Sequence, residues 1–305
     1  MSLLIMDNVT KSFGDIKAVD GLSFAVEPGE IFGFLGGNGA GKTTSLRMVL
    51  DIIRPTSGSI EVLGQAPGKR IAPQLGFLPE ERGLYANMTA IDTIVYFGQM
   101  KGLSAADARR EGLALLERFD LADRAKSPIS DMSKGMAQKV QLATSIVNRP
   151  RLLILDEPFS GLDPVNQQLL EAEIQRASDD GAAVIFSTHV MQHAERLCDR
   201  LLVLKKGRKT FEGTVSQARG LLPSRIEVTA TDAIATMPGV RHARRTRDLG
   251  EGWADWIVEL EPGTDGPDLL ETCTRAAQPL RRFDEQRASL HDVFVHLVGE
   301  EEAAA

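Results

Sequence analysis

The chain has 305 residues, of which 43% are hydrophobic and 25% are charged, ordinary values for a globular protein of one large domain or two smaller ones. No apolar run approaches the ~20 residues that span a bilayer, and the first residues lack the pattern of a secretory signal. The net charge of −7 argues against nucleic acid as the main partner, and two cysteines without metal-site spacing fit a reducing compartment. We therefore expect a cytoplasmic protein.

The N-terminal part of the chain predicts two strands, at 3–9 and 16–26, and then a strand at 30–35 that leads into a helix at 42–50. The residues between strand and helix fit the phosphate-loop pattern G-x-x-x-x-G-K-[ST]. They are Gly36, Gly37, Asn38, Gly39, Ala40, Gly41, Lys42, Thr43 and Thr44. Glycines let backbone N–H groups surround phosphate oxygens, and the helix N-terminus adds partial positive charge. Lys42 would reach the β- and γ-phosphates and the Thr43 hydroxyl would ligate Mg²⁺. The alternative is a chance match in a glycine-rich turn, which the flanking strand and helix disfavour.

The middle of the chain changes from strands to helices and back again. Short strands at 59–63 and 75–78 precede apolar residues with helical spacing, which predicts a helical insertion at about 89–148. The continuous apolar runs at 151–155 and 182–187 are typical of strands buried on both faces of a parallel sheet. Segments 201–204 and 209–212 flank a turn and predict a hairpin. Together these elements indicate an α/β domain at residues 1–220.

Two adjacent carboxylates, Asp156 and Glu157, follow the apolar run at 152–155. A strand end that brings carboxylates beside a phosphate loop suits Mg²⁺ at Asp156 and a general base for water at Glu157. The alternative is an ordinary acidic turn before Pro158. The phosphate loop earlier in the chain favours the catalytic interpretation.

The last part of the chain, residues 221–305, differs in composition from the rest. It carries 9 basic and 16 acidic side chains, whereas residues 1–220 carry 26 of each. Such a shift indicates a second domain. Strands are predicted at 225–230, 240–247, 253–260 and 280–287, with helical stretches at 231–237, 266–277 and 289–299. This βαββαβα order predicts a small α+β, ferredoxin-like accessory domain at 221–305.

With these motifs in place, the chain resembles the ATP-binding subunits of ABC transporters over residues 3 to about 215. The family's signature position is occupied by Ser133, Lys134, Gly135 and Met136, where the usual core is Leu-Ser-Gly-Gly-Gln. The segment 160–163 looks like the family's D-loop, 187–189 like its switch-histidine segment, and Phe13 like its adenine-stacking aromatic. The resemblance implies a P-loop NTPase (RecA-like) core with an antiparallel β subdomain and a helical insertion. The accessory domain and the segments 80–85 and 288–294 are similar to the bacterial subgroup that exports drugs, sodium or polysaccharides.

The resemblance also implies a division of labour among the residues. Lys42, Glu157 and His189 would catalyse ATP hydrolysis, and Thr43, Asp156 and Glu80 would surround Mg²⁺. The ATP bound by a second subunit would face the signature residues Ser133, Lys134, Gly135 and Met136. Asp163 would contact that subunit. The implied partners are a homodimeric or heterodimeric ATPase subunit and a separately encoded transmembrane permease, which would hold the protein peripherally on the inner face of the cell membrane. A coupling helix of the permease would enter the groove near 80–88.

Simpler interpretations of single residues stay open at this stage. Phe13 could belong to the core, His189 could be structural, Ser133 could only cap the following helix, and Asp163 before Pro164 is also a good helix start. The chain departs from the family at Glu80, where glutamine is usual, at Lys134 and Met136, and at Gly37, where proline is usual. The competing functions are a ribosome-associated factor, a DNA-repair ATPase and a cytosolic cluster-assembly ATPase. Ribosome-associated factors usually have two cassettes and DNA-repair ATPases have a long insertion, and this chain has neither. A cluster-assembly ATPase is disfavoured only weakly, by the presence of the accessory domain.

Overall fold

The computed structural model describes residues 2–81, 83–222, 225–261, 263–286 and 288–299. Its internal contacts divide the chain into two units, Met1–Thr214 with Leu297–Ala305, and Val215–His296. The division after Thr214 lies six residues before the boundary expected at 220/221. Each unit has a sheet and a core of its own and is described by itself below. Within the described residues, no helix is both long and apolar enough to cross a bilayer.

A six-stranded sheet forms the centre of the larger unit. Its strands are β3 (Ile31–Gly36), β5 (Leu75–Leu78), β6 (Leu152–Asp156), β7 (Ala183–Thr188), β8 (Arg200–Lys205) and β9 (Arg208–Thr214). Their order is β5-β6-β7-β3-β8-β9, and all neighbours are parallel except the β8–β9 hairpin. Every residue of β3, β6 and β7 is buried, as the continuous apolar runs predicted. Their carboxyl ends therefore meet at one edge, where open α/β sheets bind ligands.

A separate three-stranded antiparallel sheet supports the start of the phosphate loop. It contains β1 (Leu4–Phe13), β2 (Ile16–Val26) and β4 (Ser57–Val62) in the order β2-β1-β4. Alternate residues of β1 and β2, among them Leu4, Met6, Leu22 and Phe24, are buried in one core cluster with residues of β3. The β1–β2 turn leaves Phe13 exposed at its tip.

Four of the six helices that the structure describes in the larger unit begin at polar capping residues. The six helices are α1 (Lys42–Val49), α2 (Ala90–Met100), α3 (Ala105–Arg118), α4 (Lys134–Ile146), α5 (Pro164–Asp179) and α6 (Met191–Leu197). The side chains of Thr89, Ser104, Ser133 and Asp163 accept backbone N–H bonds at the starts of α2 to α5, whereas α1 and α6 have no side-chain cap. Short 3₁₀ helices lie at Ala72–Gln74, Ala122–Arg124 and Ile129–Asp131. Helices α2 to α4 form the predicted helical insertion.

The smaller unit has the strand order expected of a split-βαβ fold. Its elements are α7 (Val215–Arg219), β10 (Arg225–Thr231), β11 (Val240–Gly250), β12 (Trp253–Leu260), α8 (Gly266–Arg275), β13 (Leu280–Gln286) and α9 (Leu290–Val298), of which the last two residues are assigned to the larger unit. The sheet order is β11-β12-β10-β13, antiparallel throughout. Its core includes Ile226, Val228, Trp256, Val258 and Leu269. Arg287, the last residue of the strand predicted at 280–287, lies outside the described residues.

The helix predicted at 231–237 is wrong in type. The structure has a 3₁₀ helix at Asp232–Thr236, and Gly239 at φ 87° turns the chain into β11. The connection from Thr231 to Val240 has only eight residues, and a short 3₁₀ helix with i→i+3 hydrogen bonds fits this length.

Candidate nucleotide site

The phosphate loop connects the end of β3 to the first turn of α1. Gly39 and Gly41 have φ angles of 74° and 103°, which favour glycine. A Cβ added to Gly41 would overlap the carbonyl oxygen of Ala18, so glycine is required here for space as well. Helix α1 has no side-chain cap and no acidic residue in its first turn. Its first N–H groups are therefore directed at the loop without competition from a carboxylate.

Lys42, the first residue of α1, is only 7% exposed. Its ammonium donates to the carbonyl oxygens of Gly36 at 2.7 Å and Gly37 at 3.3 Å. It also lies 3.5 Å from Glu157 Oε1. A buried ammonium needs such acceptors, and here the loop carbonyls and the carboxylate that follows β6 supply them. The lysine thus joins the phosphate loop to the paired carboxylates.

Asp156 is the polar centre of the strand edge and is 3% exposed. Its Oδ1 accepts hydrogen bonds from Thr43 Oγ1 at 3.3 Å and from Ser187 Oγ at 2.5 Å. Ser187 also accepts a hydrogen bond from the Glu157 backbone N–H at 3.0 Å. Asp156 and Ser187 are register partners in the β6–β7 ladder. Sequence reasoning noted Ser187 only as part of the histidine segment and missed this bridging role, because the register of two distant strands is not visible in the sequence.

Glu157 is held between Lys42 and His189. Its Oε2 lies 3.0 Å from His189 Nδ1, and its backbone adopts φ 46°, an uncommon value for a residue with a side chain. His189 follows the last residue of β7 and has a largely exposed side chain. Strained residues of this kind cluster at active sites. The carboxyl edge of the sheet therefore carries one connected group of side chains, formed by Lys42, Thr43, Asp156, Glu157 and His189.

The signature residues contact a different part of the chain. Ser133 caps α4 by accepting the Met136 N–H at 3.3 Å. A Cβ on Gly135 would lie 2.7 Å from Asn166 Nδ2, and one on Gly161 would overlap the Lys134 ammonium. In the part of the chain that the structure describes, the contacts of Ser133 and Gly135 are to α4 itself and to the start of α5, and none is to the phosphate loop.

Asp163 combines a capping role with a position beside the signature. Its carboxylate accepts the Asn166 backbone N–H at 2.9 Å and the Asn166 amide at 2.6 Å. These hydrogen bonds, the backbone one first, hold the pKa of Asp163 below its usual range. The helix-start interpretation of Asp163 is thus correct, and its role between subunits stays a prediction.

Phe13 and Glu80 stand apart from the connected group. Phe13 is 51% exposed, with the Lys11 ammonium 4.9 Å from its ring centroid, so it is not a core residue. Glu80 is exposed in the turn after β5, at the same edge as Asp156 because β5 and β6 run parallel. No contact of the Glu80 carboxylate with Thr43 or Asp156 occurs among the described residues.

Comparison with known proteins decides the family. A family model described as ABC transporter matches residues 19–160, and one described as ATP-binding protein DrrA1-3-like, C-terminal domain, matches 220–298. The chain is 36% identical to the uncharacterized ABC transporter ATP-binding protein YhaQ of Bacillus subtilis (strain 168), over 97% of this chain and 99% of that one. The chain belongs to the ABC transporter ATP-binding proteins. This ABC protein is also 36% identical to the Nod factor export ATP-binding protein I of Paraburkholderia xenovorans (strain LB400), over 97% and 96% of the two chains.

Solved structures show the same fold. The ABC protein aligns with a structure titled as the ATP binding subunit of an ABC transporter at a TM-score of 0.67 and 31% identity, covering 72% of this chain and 93% of that one. It also aligns with cbiO1 from Clostridium perfringens, described as part of the ABC transporter complex cbiONQ, at a TM-score of 0.63 and 24% identity, covering 70% and 88%. The predicted P-loop NTPase fold with a C-terminal domain is therefore confirmed. As a member of this family, the protein is an ATP-binding subunit with the ATPase activity expected of it.

Proposed function

We propose that this ABC protein hydrolyses ATP as a head-to-tail dimer and drives export through a separately encoded membrane permease. The observation that carries this proposal is the separation of its functional residues into two groups. Lys42, Asp156 and Glu157 lie together at the sheet edge, whereas Ser133 and Gly135 contact the start of α5. A second copy that turns its signature toward this edge would complete the site. The printed name of the Nod factor export relative supports the export direction.

Binding of ATP would use the phosphate loop and the exposed aromatic. The N–H groups of Gly36 to Thr44 and the uncapped N-terminus of α1 suit phosphate oxygens. The Lys42 ammonium would exchange its loop carbonyls for the β- and γ-phosphates, which compensate its charge better. Phe13 presents an accessible ring on which an adenine could stack, at the tip of the β1–β2 turn.

The donor set at the sheet edge fits Mg²⁺. The Thr43 hydroxyl and the Asp156 carboxylate oxygen lie 3.3 Å apart, and both are hard oxygen ligands of the kind that Mg²⁺ prefers alongside phosphates. Glu80, from the neighbouring strand end, is the third candidate ligand. Bound there, the ion would neutralise charge on the phosphates. Ser187 would keep Asp156 oriented, since it donates to the same carboxylate oxygen.

Hydrolysis would depend on Glu157 and His189. Glu157 would accept a proton from the attacking water, and Lys42 would stabilise charge on the transferred group. The His189 ring, 3.0 Å from Glu157, would orient the carboxylate and add a hydrogen bond at the γ-phosphate side. The site would be closed by the signature residues of a second subunit, Ser133, Lys134, Gly135 and Met136. Asp163 would lie at the contact between the subunits.

The permease would dock in a groove between the central sheet and the helical insertion. This groove has a volume of about 300 Å³ and is lined by apolar side chains from the core and from α2, together with the turn after β5. The apolar lining residues include Leu50, Leu75, Phe77, Leu84 and Phe97. An apolar helix of the permease would fit it. The protein would then lie on the cytoplasmic face of the cell membrane, held there by the permease and paired with an identical or a related ATPase subunit.

Co-purification tests the transport assignment. The ABC protein is expressed with the membrane protein of about six hydrophobic spans that we expect to be encoded beside it. We expect a complex whose vesicles hydrolyse ATP and move substrate, and a Leu84→Asp substitution in the groove should release the protein from the complex. A protein that hydrolyses ATP equally well with no such partner would instead favour a soluble ABC ATPase of the cluster-assembly or ribosome-associated type.

A further inference from the structure

The middle of the signature helix α4 carries a buried polar side chain that no motif explains. Gln141 lies two turns after Ser133, about 12 Å along the helix axis, and is 3% exposed. Its Nε2 donates to the carbonyl oxygens of Pro79, at 3.4 Å, and Glu81, at 3.2 Å. These two residues flank Glu80 on both sides. A single amide group therefore fixes the turn that carries Glu80 to the helix that carries Ser133.

The turn has few other attachments. Among the described residues, no other hydrogen bond holds Pro79, Glu80 or Glu81. Beyond the turn, the next hydrogen bonds among the described residues are at Tyr85, which accepts from the Met88 N–H, and at Ala86, which accepts from the Ser130 N–H. The turn is thus held at its start by the β5–β6 ladder, which ends at Leu78, and beyond it by the two hydrogen bonds from Gln141.

Gln141 also faces the groove. It lines the 300 Å³ groove beside Lys101 and Thr144, and its Oε1 is buried without a hydrogen-bond partner among the described residues. A buried amide oxygen without a donor is costly, and such a group in a native fold calls for an explanation. An apolar side chain of the same volume would leave no acceptor unpaired, but it would also lose both hydrogen bonds to the turn.

Helix α4 is fastened at its far end as well. The Lys101 ammonium of the segment after α2 donates to the carbonyls of Thr144 and Ser145 and to the Asn148 side chain. The helix therefore has one end tied to α2, its middle tied to the turn of Glu80, and its other end carrying Ser133. A displacement of the groove walls would move all three together, since a helix transmits displacement as a rigid element.

We propose that Gln141 is a positioning residue that makes the Glu80 turn and the signature helix move as one body. Through it, closure of Ser133 on the partner's ATP brings Glu80 to its own site, and a helix in the groove biases both. The proposal rests on the proposed dimeric mechanism and deepens it. Among the described residues, the Gln141 amide has no hydrogen bond to the connected group at the sheet edge, so its role is one of positioning.

The test compares Gln141→Met with Ser145→Ala in the full-length protein. Methionine keeps the volume and removes both hydrogen bonds, whereas Ser145→Ala removes one buried hydrogen bond of the same helix, to Leu142, without touching the turn. We expect Gln141→Met to lower kcat about tenfold, the rate equivalent of one or two net hydrogen bonds, with the Kd for ATP unchanged. Ser145→Ala should keep the wild-type kcat.

A double-mutant cycle separates this role from a general loss of stability. If Gln141 acts through the turn, Gln141→Met and Glu80→Ala should be non-additive in kcat, whereas Ser145→Ala and Glu80→Ala should be additive. Additive effects of Gln141→Met and Glu80→Ala, or an unchanged kcat in Gln141→Met, would overturn the inference while leaving ATP hydrolysis by the wild type intact. Wild-type protein without ATP hydrolysis would instead overturn the proposed function, and this inference with it.

Hydrogen exchange decides the question if Gln141→Met does not fold. In the Glu157→Gln variant, ATP should slow amide hydrogen exchange in peptides covering 79–88 and 133–141. The ATP concentration that gives half-maximal protection should be the same for both peptides. Protection of the signature peptide alone would show that the turn and the helix move independently, and it would refute the role of Gln141.

Discussion

At the scale of single residues, the site depends on a small group of side chains that compensate one another's charge. Lys42 lies between two loop carbonyls and Glu157, and Asp156 lies between Thr43 and Ser187. Since each charged group is largely buried, removal of one partner leaves another uncompensated. Substitutions in this group should therefore affect the orientation of their neighbours as well as their own function.

Glu157→Gln tests the proposed role of Glu157 as the general base. The amide keeps the shape of the carboxylate but cannot accept the proton of water, so we expect kcat to fall by about 10² to 10⁴ with ATP binding retained. Steady-state hydrolysis and a nucleotide-binding assay measure the two quantities. Glu117→Gln, on the exposed face of α3, is the matched control and should behave as wild type. Full turnover in Glu157→Gln would assign the base to another residue.

Ser187→Ala tests a contact that the sequence did not reveal. The hydroxyl donates to the Asp156 carboxylate and accepts from the Glu157 backbone N–H, so its loss frees that carboxylate and leaves the N–H without its acceptor. Hydrogen bonds to charged groups contribute about 1.5–3 kcal/mol, which corresponds to a ten- to hundredfold loss in kcat/KM for Mg-ATP. Kinetics over a Mg²⁺ titration measure it. Unchanged kinetics would show that Ser187 only fills space.

At the scale of elements, local sequence was enough for the parts whose conformation is determined locally. The phosphate loop, its flanking strand and helix, and the buried strands were predictable because glycine placement and apolar runs act over a few residues. The contacts of Ser187, Gln141 and Lys101 were not, because each depends on the register or packing of segments distant in sequence. The helix type at 231–237 was wrong for a related reason: it depends on the short connection between β10 and β11, whose positions on either side of β12 are not visible in the sequence.

Gly41→Ala tests the conformation of the phosphate loop. The new methyl group would meet the Ala18 carbonyl at a φ of 103°, so we expect loss of ATP binding. Gly64→Ala is the matched control: Gly64 also has a positive φ, 77°, but an added Cβ there meets nothing within 4 Å. Calorimetric titration with ATP should show binding to Gly64→Ala only. Normal ATP affinity in Gly41→Ala would mean that the loop conformation is not required.

The end of α4 should show a distinct pH dependence. Burial lowers the pKa of Lys101 to about 8, from 10.5 in the unfolded chain. Between these values the unfolded state binds the extra proton, so the Lys101 contribution to the free energy of unfolding rises as the pH increases from about 8 to 10.5. We expect the free energy of unfolding of the wild type to increase relative to that of Lys101→Met between about pH 8 and 10.5. Urea unfolding at several pH values measures this difference. A difference independent of pH would contradict the burial of the ammonium.

At the scale of the whole molecule, the chain consists of two units with separate sheets and cores, and only the larger one contains the phosphate loop.

Saturating Mg-ATP should stabilise the larger unit and raise its transition temperature. At 100 times Kd, its free energy of unfolding should increase by about 2.7 kcal/mol, and the transition temperature of the smaller unit should not change. Scanning calorimetry with and without nucleotide resolves the two. Equal shifts of both transitions would show that the units unfold as one cooperative body.

The proposed division of the site between two subunits is tested by the mass of the Glu157→Gln variant in solution. With Mg-ATP, light scattering should give twice the monomer mass of 33.1 kDa, and with ADP the monomer mass, because the uncleaved γ-phosphate keeps the two subunits together. Adding Ser133→Arg to the same variant should abolish the dimer without changing ATP binding to the monomer. A variant that binds ATP and stays monomeric at concentrations well above its Kd for nucleotide would contradict the dimeric mechanism.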